Sequence, residues 1–187
     1  MATRALPKAT DTLTEINAVI ERLDNPVHRH MVETARDHYW AEVVWDVPAI
    51  VATLAPIAPV LYRFQGGAFL GMDGLRVESR EAAQAMYEST RDSGMTIGPM
   101  KELKLTFGSE GISQECLQYA VIPGSGLPGL AEQVDPDKWY LVSWYATTYS
   151  PFDEENRYMT GEFCYAANKP LTIEEVDRGV AKELIGL

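Results

Sequence analysis

The chain has 187 residues, with 16 Lys and Arg against 27 Asp and Glu for a formal charge of −11. At 46% hydrophobic and 10% aromatic residues, such a chain can withdraw roughly 70% of its unfolded surface from water, so a single domain over residues 1–187 is expected and general disorder is excluded. So acidic a surface repels phosphate backbones and anionic lipid, which removes nucleic acid and membrane from the expected partners.

The elements are then read in chain order. Thr12-Leu13-Thr14-Glu15 has the form of a capping box, and Leu13, Ile16, Ile20 and Leu23 repeat at helical spacing, which predicts a helix over about 12–24. Asn25-Pro26 supplies a cap and a first-turn proline for a long helix running to Trp45. Asp46-Val47-Pro48 restarts the same pattern for a short helix to about Ala55. Residues 60–65 alternate faces as a strand, and Gln65 to Glu78, with Gly66, Gly67, Gly71 and Gly74, reads as an irregular loop and a candidate lid. Ser79 caps a helix to about Arg91.

Beyond Gly98-Pro99 the period changes to two. Leu103, Leu105 and Phe107 share a face, and Gly108 to Gly111 turns into a strand over 112–122, giving a hairpin. Pro123 to Asp137 is a long connection. Strands over 139–150 and 157–166 follow and should pair antiparallel. Thr172-Ile173-Glu174-Glu175 repeats the capping-box signature, so a final helix is expected over about 172–185. Helices come first and strands follow without strict alternation, which favours α+β over a doubly wound parallel sheet.

Cys116 and Cys164 form no CxxC pair and no disulfide framework, so a reducing, cytoplasmic setting is expected. Met1 to Lys8 has no apolar run behind its charges, and the longest apolar run, 47–62, is broken by Pro48, Pro56 and Pro59; neither a secretory signal nor a bilayer span is expected. There is no GxGxxG, Walker motif or HExxH. His28 and His30, two apart on a helix, point about 200° apart, so no metal site is expected.

The long helix ending in Trp45-Asp46, the short helix after it, the strand at Leu61-Tyr62 and the run from Arg76 to Tyr87 resemble the front half of the nuclear transport factor 2-like superfamily, SnoaL-like branch. Gly161-Glu162-Phe163-Cys164-Tyr165 is similar to that branch's last-strand pattern. The resemblance spans about 26–167. It implies a curved antiparallel sheet wrapped by the N-terminal helices into a cone, a cystatin-like or SnoaL-like α+β barrel with a C-terminal helix added here. It also implies a pocket at the open end, no cofactor, and commonly a homodimer through the open sheet face. Members include isomerases, cyclases, dehydratases, epoxide hydrolases and binding proteins, so the fold alone does not choose the activity.

Within that frame four residues are candidates for chemistry. At 100° per residue Met31, Thr34, Ala35, His38, Glu42 and Trp45 share a helix face with His30 at its edge, and His38 and Glu42, four apart, can hydrogen-bond. By resemblance to the ketosteroid isomerases, His38 stands where the oxyanion-stabilising tyrosine lies and Tyr62 where the general-base aspartate lies. A tyrosine is a poor base and a usable donor to oxygen, so the roles are exchanged: His38 moves the proton and Tyr62 holds the oxygen. Glu162 shares a strand face with Thr160 and Cys164 and resembles the late-strand acid of epoxide hydrolases and cyclases. Thr148 stands near the isomerases' protonated aspartate. His30, Phe64, Phe107, Trp144 and Thr148 are the expected substrate-contacting residues.

The expected activity is that of a cofactor-independent lyase or isomerase, moving a proton on a small, apolar, oxygenated molecule. A non-catalytic ligand-binding or assembly module, or a water-activating epoxide hydrolase, are the alternatives. The competing structural readings are an exposed His38 in a surface ion pair, Tyr62 as a plain core aromatic, and a solvent-facing Glu162.

Overall fold

The computed structural model describes residues 5–57, 59–155 and 157–186. Helix α1 (Ala9–Ile20) leads into α2 (Pro26–Val44) and the short α3 (Val47–Ala52). Strand β1 (Leu61–Gly66), a two-residue β2 (Arg76–Val77) and α4 (Arg80–Asp92) follow. The remainder is β3 (Thr96–Phe107), β4 (Gly111–Pro123), β5 (Trp139–Pro151), β6 (Gly161–Ala166), β7 (Thr172–Val176) and α5 (Val180–Ile185). The strands form one curved, unclosed mixed sheet in the order β2-β1-β6-β5-β4-β3, with β7 added to β5. The architecture is therefore α+β. All pairs are antiparallel except β1 with β6, whose register sets Tyr62 beside Glu162. Among the described residues no helix is long and apolar enough to cross a membrane.

Several boundaries follow from the caps. Asn25 Oδ1 accepts from the Val27 and His28 amides, Asp46 Oδ1 from Ala49, and Ser79 Oγ from Ala82. Trp45 ends α2 in a left-handed conformation, φ 56°, and its indole nitrogen donates to the Met95 carbonyl at 2.8 Å, which fixes the break between α2 and α3.

The two capping boxes do not start helices. Helix α1 begins three residues earlier, at Ala9, and Thr12 lies inside it, fully buried. The Thr12 hydroxyl donates to the Met100 carbonyl at 3.1 Å and accepts the Met100 amide at 3.0 Å, serving backbone that the irregular register of β3 leaves free. At the other end Thr172–Val176 is strand, and helix is confined to Val180–Ile185. The reason is tertiary. Strand β6 covers only Ala146–Tyr149 of β5, so Trp139–Ser143 would be an open edge, and Thr172–Val176, with β-branched Thr172, Ile173 and Val176, pairs with it. The predicted loop 65–78 contains a 3-10 turn at Ala68–Leu70 and folds β2 back onto β1.

Gly161 has a positional role. At φ 127° it opens β6, and a Cβ there would collide with the Leu61 carbonyl of β1. The close parallel pairing that brings Glu162 to Tyr62 therefore requires glycine. One core cluster, around Met31, Ile50, Leu54, Tyr62 and Tyr87, joins α2, α3 and α4 to β1. A second, around Phe69, Leu127, Val142 and Trp144, closes the other end. A cavity of about 510 Å³ lies between the helices and the sheet.

Candidate active site

Helix α2 places Ala35, His38, Glu42 and Trp45 along the cavity wall, and the sheet places Phe64, Thr148, Trp144, Ser150, Glu162 and Cys164 opposite. His38 is 2% exposed. Its Nδ1 lies 2.6 Å from Thr53 Oγ1, and the Thr53 hydroxyl donates to the Ile50 carbonyl at 2.7 Å, so Nδ1 is the donor in the first contact. Its Nε2 lies 3.1 Å from the Tyr87 hydroxyl and 3.5 Å from Glu42 Oε1. The Tyr87 hydroxyl donates to that of Tyr62 at 3.2 Å. With that proton committed, Nε2 donates as well, and the network is that of an imidazolium.

The electrostatics agree. Burial pulls the His38 pKa down, but the hydrogen bond and charge of Glu42, helped by the charge of Glu162, outweigh it, leaving the ring above its ordinary 6.5. Burial lifts Glu162 from 4.5 to about 7; the His38 charge opposes this and the Glu42 charge adds to it. Glu162 therefore exchanges its proton near neutrality. Burial also holds Tyr87, Tyr62 and Cys164 well above their usual values, so these groups keep their protons. Cys164 Sγ lies 3.9 Å from Glu162 Oε2 and 3.8 Å from the Thr148 hydroxyl.

No family model and no curated protein sequence matches the chain. Solved structures do. A protein from Shewanella denitrificans OS-217 assigned as a SnoaL-like polyketide cyclase superposes with a TM-score of 0.58 at 9% identity, covering 76% of this chain and 91% of that one. A second protein so assigned, from Shewanella putrefaciens CN-32, gives 0.56 at 11% identity over 72% and 87%. A Mycobacterium tuberculosis protein in complex with estradiol-17beta-hemisuccinate gives 0.50 at 12% identity over 72% and 92%. The chain has the SnoaL-like, nuclear transport factor 2-like fold.

Within this SnoaL-like cone, His38, Glu42, Glu162, Phe64, Trp144 and Thr148 line one cavity. Tyr62 does not. It is fully buried in the core cluster, and only its hydroxyl joins the site, through Tyr87. Of the two linked hydroxyl-bearing residues, Tyr87 lines the cavity and Tyr62 does not. His30 and Phe107 are corrected too. His30 is exposed, with Nε2 3.1 Å from the Arg157 carbonyl, because it sits at the solvent edge of the α2 face. Phe107, at the far end of β3, stacks on His28 with centroids 5.4 Å apart and packs into core. Neither borders the cavity.

Two network members, Tyr87 and Thr53, were not singled out from sequence. Tyr87 had a readable signal, since Ala83, Met86, Tyr87 and Thr90 make an inward stripe on α4. Thr53 had none, because its partner lies 15 residues away across the α2–α3 break.

Among the described residues one cluster could offer ligands to a metal: His38, Glu42 and Glu162, with donor atoms within 4.8 Å of one another. A divalent ion about 2.0–2.2 Å from each donor would need them closer, and would need Nε2 to give up its proton.

Proposed function

We propose that the protein is a cofactor-independent lyase or isomerase that moves a proton next to a carbonyl of a small, apolar, oxygenated molecule. The observation that carries this reading is the pairing of a buried imidazolium with a carboxyl group of pKa about 7 on the wall of one apolar cavity. Ionised Glu162 takes a proton from the carbon beside the carbonyl, while His38 Nε2–H turns from the Tyr87 hydroxyl to the oxygen as it gains charge and the Tyr87 hydroxyl, released from Tyr62, adds a second donor. Return of the proton to another carbon completes an isomerisation. Loss of a β-hydroxyl, protonated by His38 to leave as water, completes an elimination. Glu42 holds the imidazolium, and its charge keeps Glu162 a stronger base.

The solved relatives assigned as polyketide cyclases support an enzyme on this fold, and the mycobacterial relative with its bound steroid ester supports an apolar ligand in the cone. The test is deuterium incorporation, followed by NMR, into a panel of small ketones, enones and β-hydroxy ketones in D2O. We expect catalysed exchange or water loss for at least one compound, abolished in Glu162→Gln. Binding without exchange across the panel would refute catalysis and leave the ligand-binding module as the surviving reading. The outer face of the sheet exposes Tyr145 and Tyr165, which supports the homodimer implied by the fold; sedimentation equilibrium tests it.

A further inference from the structure

Gln118 lies on β4 and borders the cavity, well away from the reacting groups. Its Nε2 donates to two backbone carbonyls, Gly98 at 3.1 Å and Tyr119 at 3.0 Å. Both neighbours are acceptors, so the amide can face them only with its nitrogen, and both of its protons are committed. Among the described residues Oε1 has no protein donor, and it is not among the fully buried polar atoms without a partner, so it retains some accessible surface. What Gln118 offers the cavity is therefore an acceptor held in fixed orientation.

Its position along the sheet is set by register. Gln118 pairs with Trp144, and Thr148 pairs with Cys164, so Glu162 stands beside Ser150. Six residues of β5 separate the two rows, about 20 Å of strand, which the curvature of the sheet shortens. Between them the cavity is lined by Phe64 and Ala146 together with the uncharged Gln114, Thr148 and Cys164, and among its described lining residues there is no Lys or Arg.

We propose that Gln118 is a specificity-determining residue that accepts a hydrogen bond from a hydroxyl or N–H at the far end of an elongated, uncharged substrate whose carbonyl reaches His38 and Glu162. This rests on the reading of the cavity as a ketone site. A substrate lacking the distal donor leaves Gln118 Oε1 unpaired in a confined space, which costs affinity. An anionic substrate meets two carboxyl groups and no resident cation beyond His38.

The test uses three series of linear methyl ketones of about 8 to 14 carbons, a range matched to the span between the two rows: unsubstituted, ω-hydroxy and ω-methoxy. Binding is read by quenching of Trp45 and Trp144, which border the cavity. For the wild-type protein the ω-hydroxyl should tighten binding about tenfold at one optimal chain length, the worth of one hydrogen bond, and the methoxy group, which cannot donate, should give no gain. In Gln118→Met that gain should disappear, with the unsubstituted ketones binding at least as tightly as to wild type because no acceptor is left unpaired. The wild-type comparison of hydroxy with methoxy stands without any variant. A hydroxyl without advantage, an advantage shared by methoxy, or one that persists in Gln118→Met overturns this inference alone. Failure of all three series to bind overturns it together with the ketone-site reading.

Discussion

Replacing Glu162 by Gln should stabilise the protein above neutral pH, although it removes the group proposed to accept the substrate's proton. The carboxyl group rises from 4.5 to about 7 on folding, chiefly through burial. Between these values the native state binds more protons than the unfolded chain, so stability falls as pH rises through that window and stays low above it. At 1.36 kcal/mol per pKa unit the full penalty is about 3 kcal/mol. Glu162 retains partial exposure to the water-accessible cavity, and ionised Glu162 also supports the His38 cation, so about 1–2 kcal/mol is the expected recovery. Urea unfolding of wild type and Glu162→Gln at pH 4.5 and pH 8 measures it. The variant's advantage should be small at the lower pH and should grow by about 1–2 kcal/mol at the higher. An advantage that is absent at pH 8, or equal at both pH values, would refute the claim that this carboxyl group is held up by burial.

The other perturbations act on its neighbours. His38→Gln should lower deuterium exchange by about 10²–10⁴-fold while the far-UV spectrum is preserved; retained exchange in a folded variant removes His38 from the mechanism. The raised pKa of His38 contributes stability that is complete below its ordinary 6.5 and is lost as pH rises through the folded value, so a wild-type decline in stability above pH 6.5 should be weaker in the same variant. Tyr87→Phe breaks the link between His38 and Tyr62 and faces the cavity, whereas Tyr62→Phe lies one hydroxyl further back, so exchange should fall more in the first than in the second. Gly161→Ala should cost about 3 kcal/mol or more in urea unfolding, because the positive φ is strained and the new methyl group meets β1 backbone.

What the sequence made legible, and what it did not, divides by range. The helix caps at Asn25, Asp46 and Ser79, the alternation of β3 to β5 and the α2 face carrying His38 and Glu42 are interactions within a few residues, and the structure contains each of them. Thr172-Ile173-Glu174-Glu175 is equally local and misled, because pairing with the unfilled edge of β5 outweighs continuing the helix back from Val180 to Thr172. Tyr62 shows the same limit at the site. Its strand face was readable, but whether its hydroxyl meets substrate depends on α4 passing in front of it, and that is decided by packing between segments 25 residues apart. The groups of the proposed reaction are dispersed likewise: His38 comes from α2, Glu162 from β6, and the ring is held by Thr53 at the end of α3. Only the β1–β6 pairing, which Gly161 permits, gathers these groups around one hollow, so the backbone conformation of a residue without a side chain decides whether Glu162 faces His38.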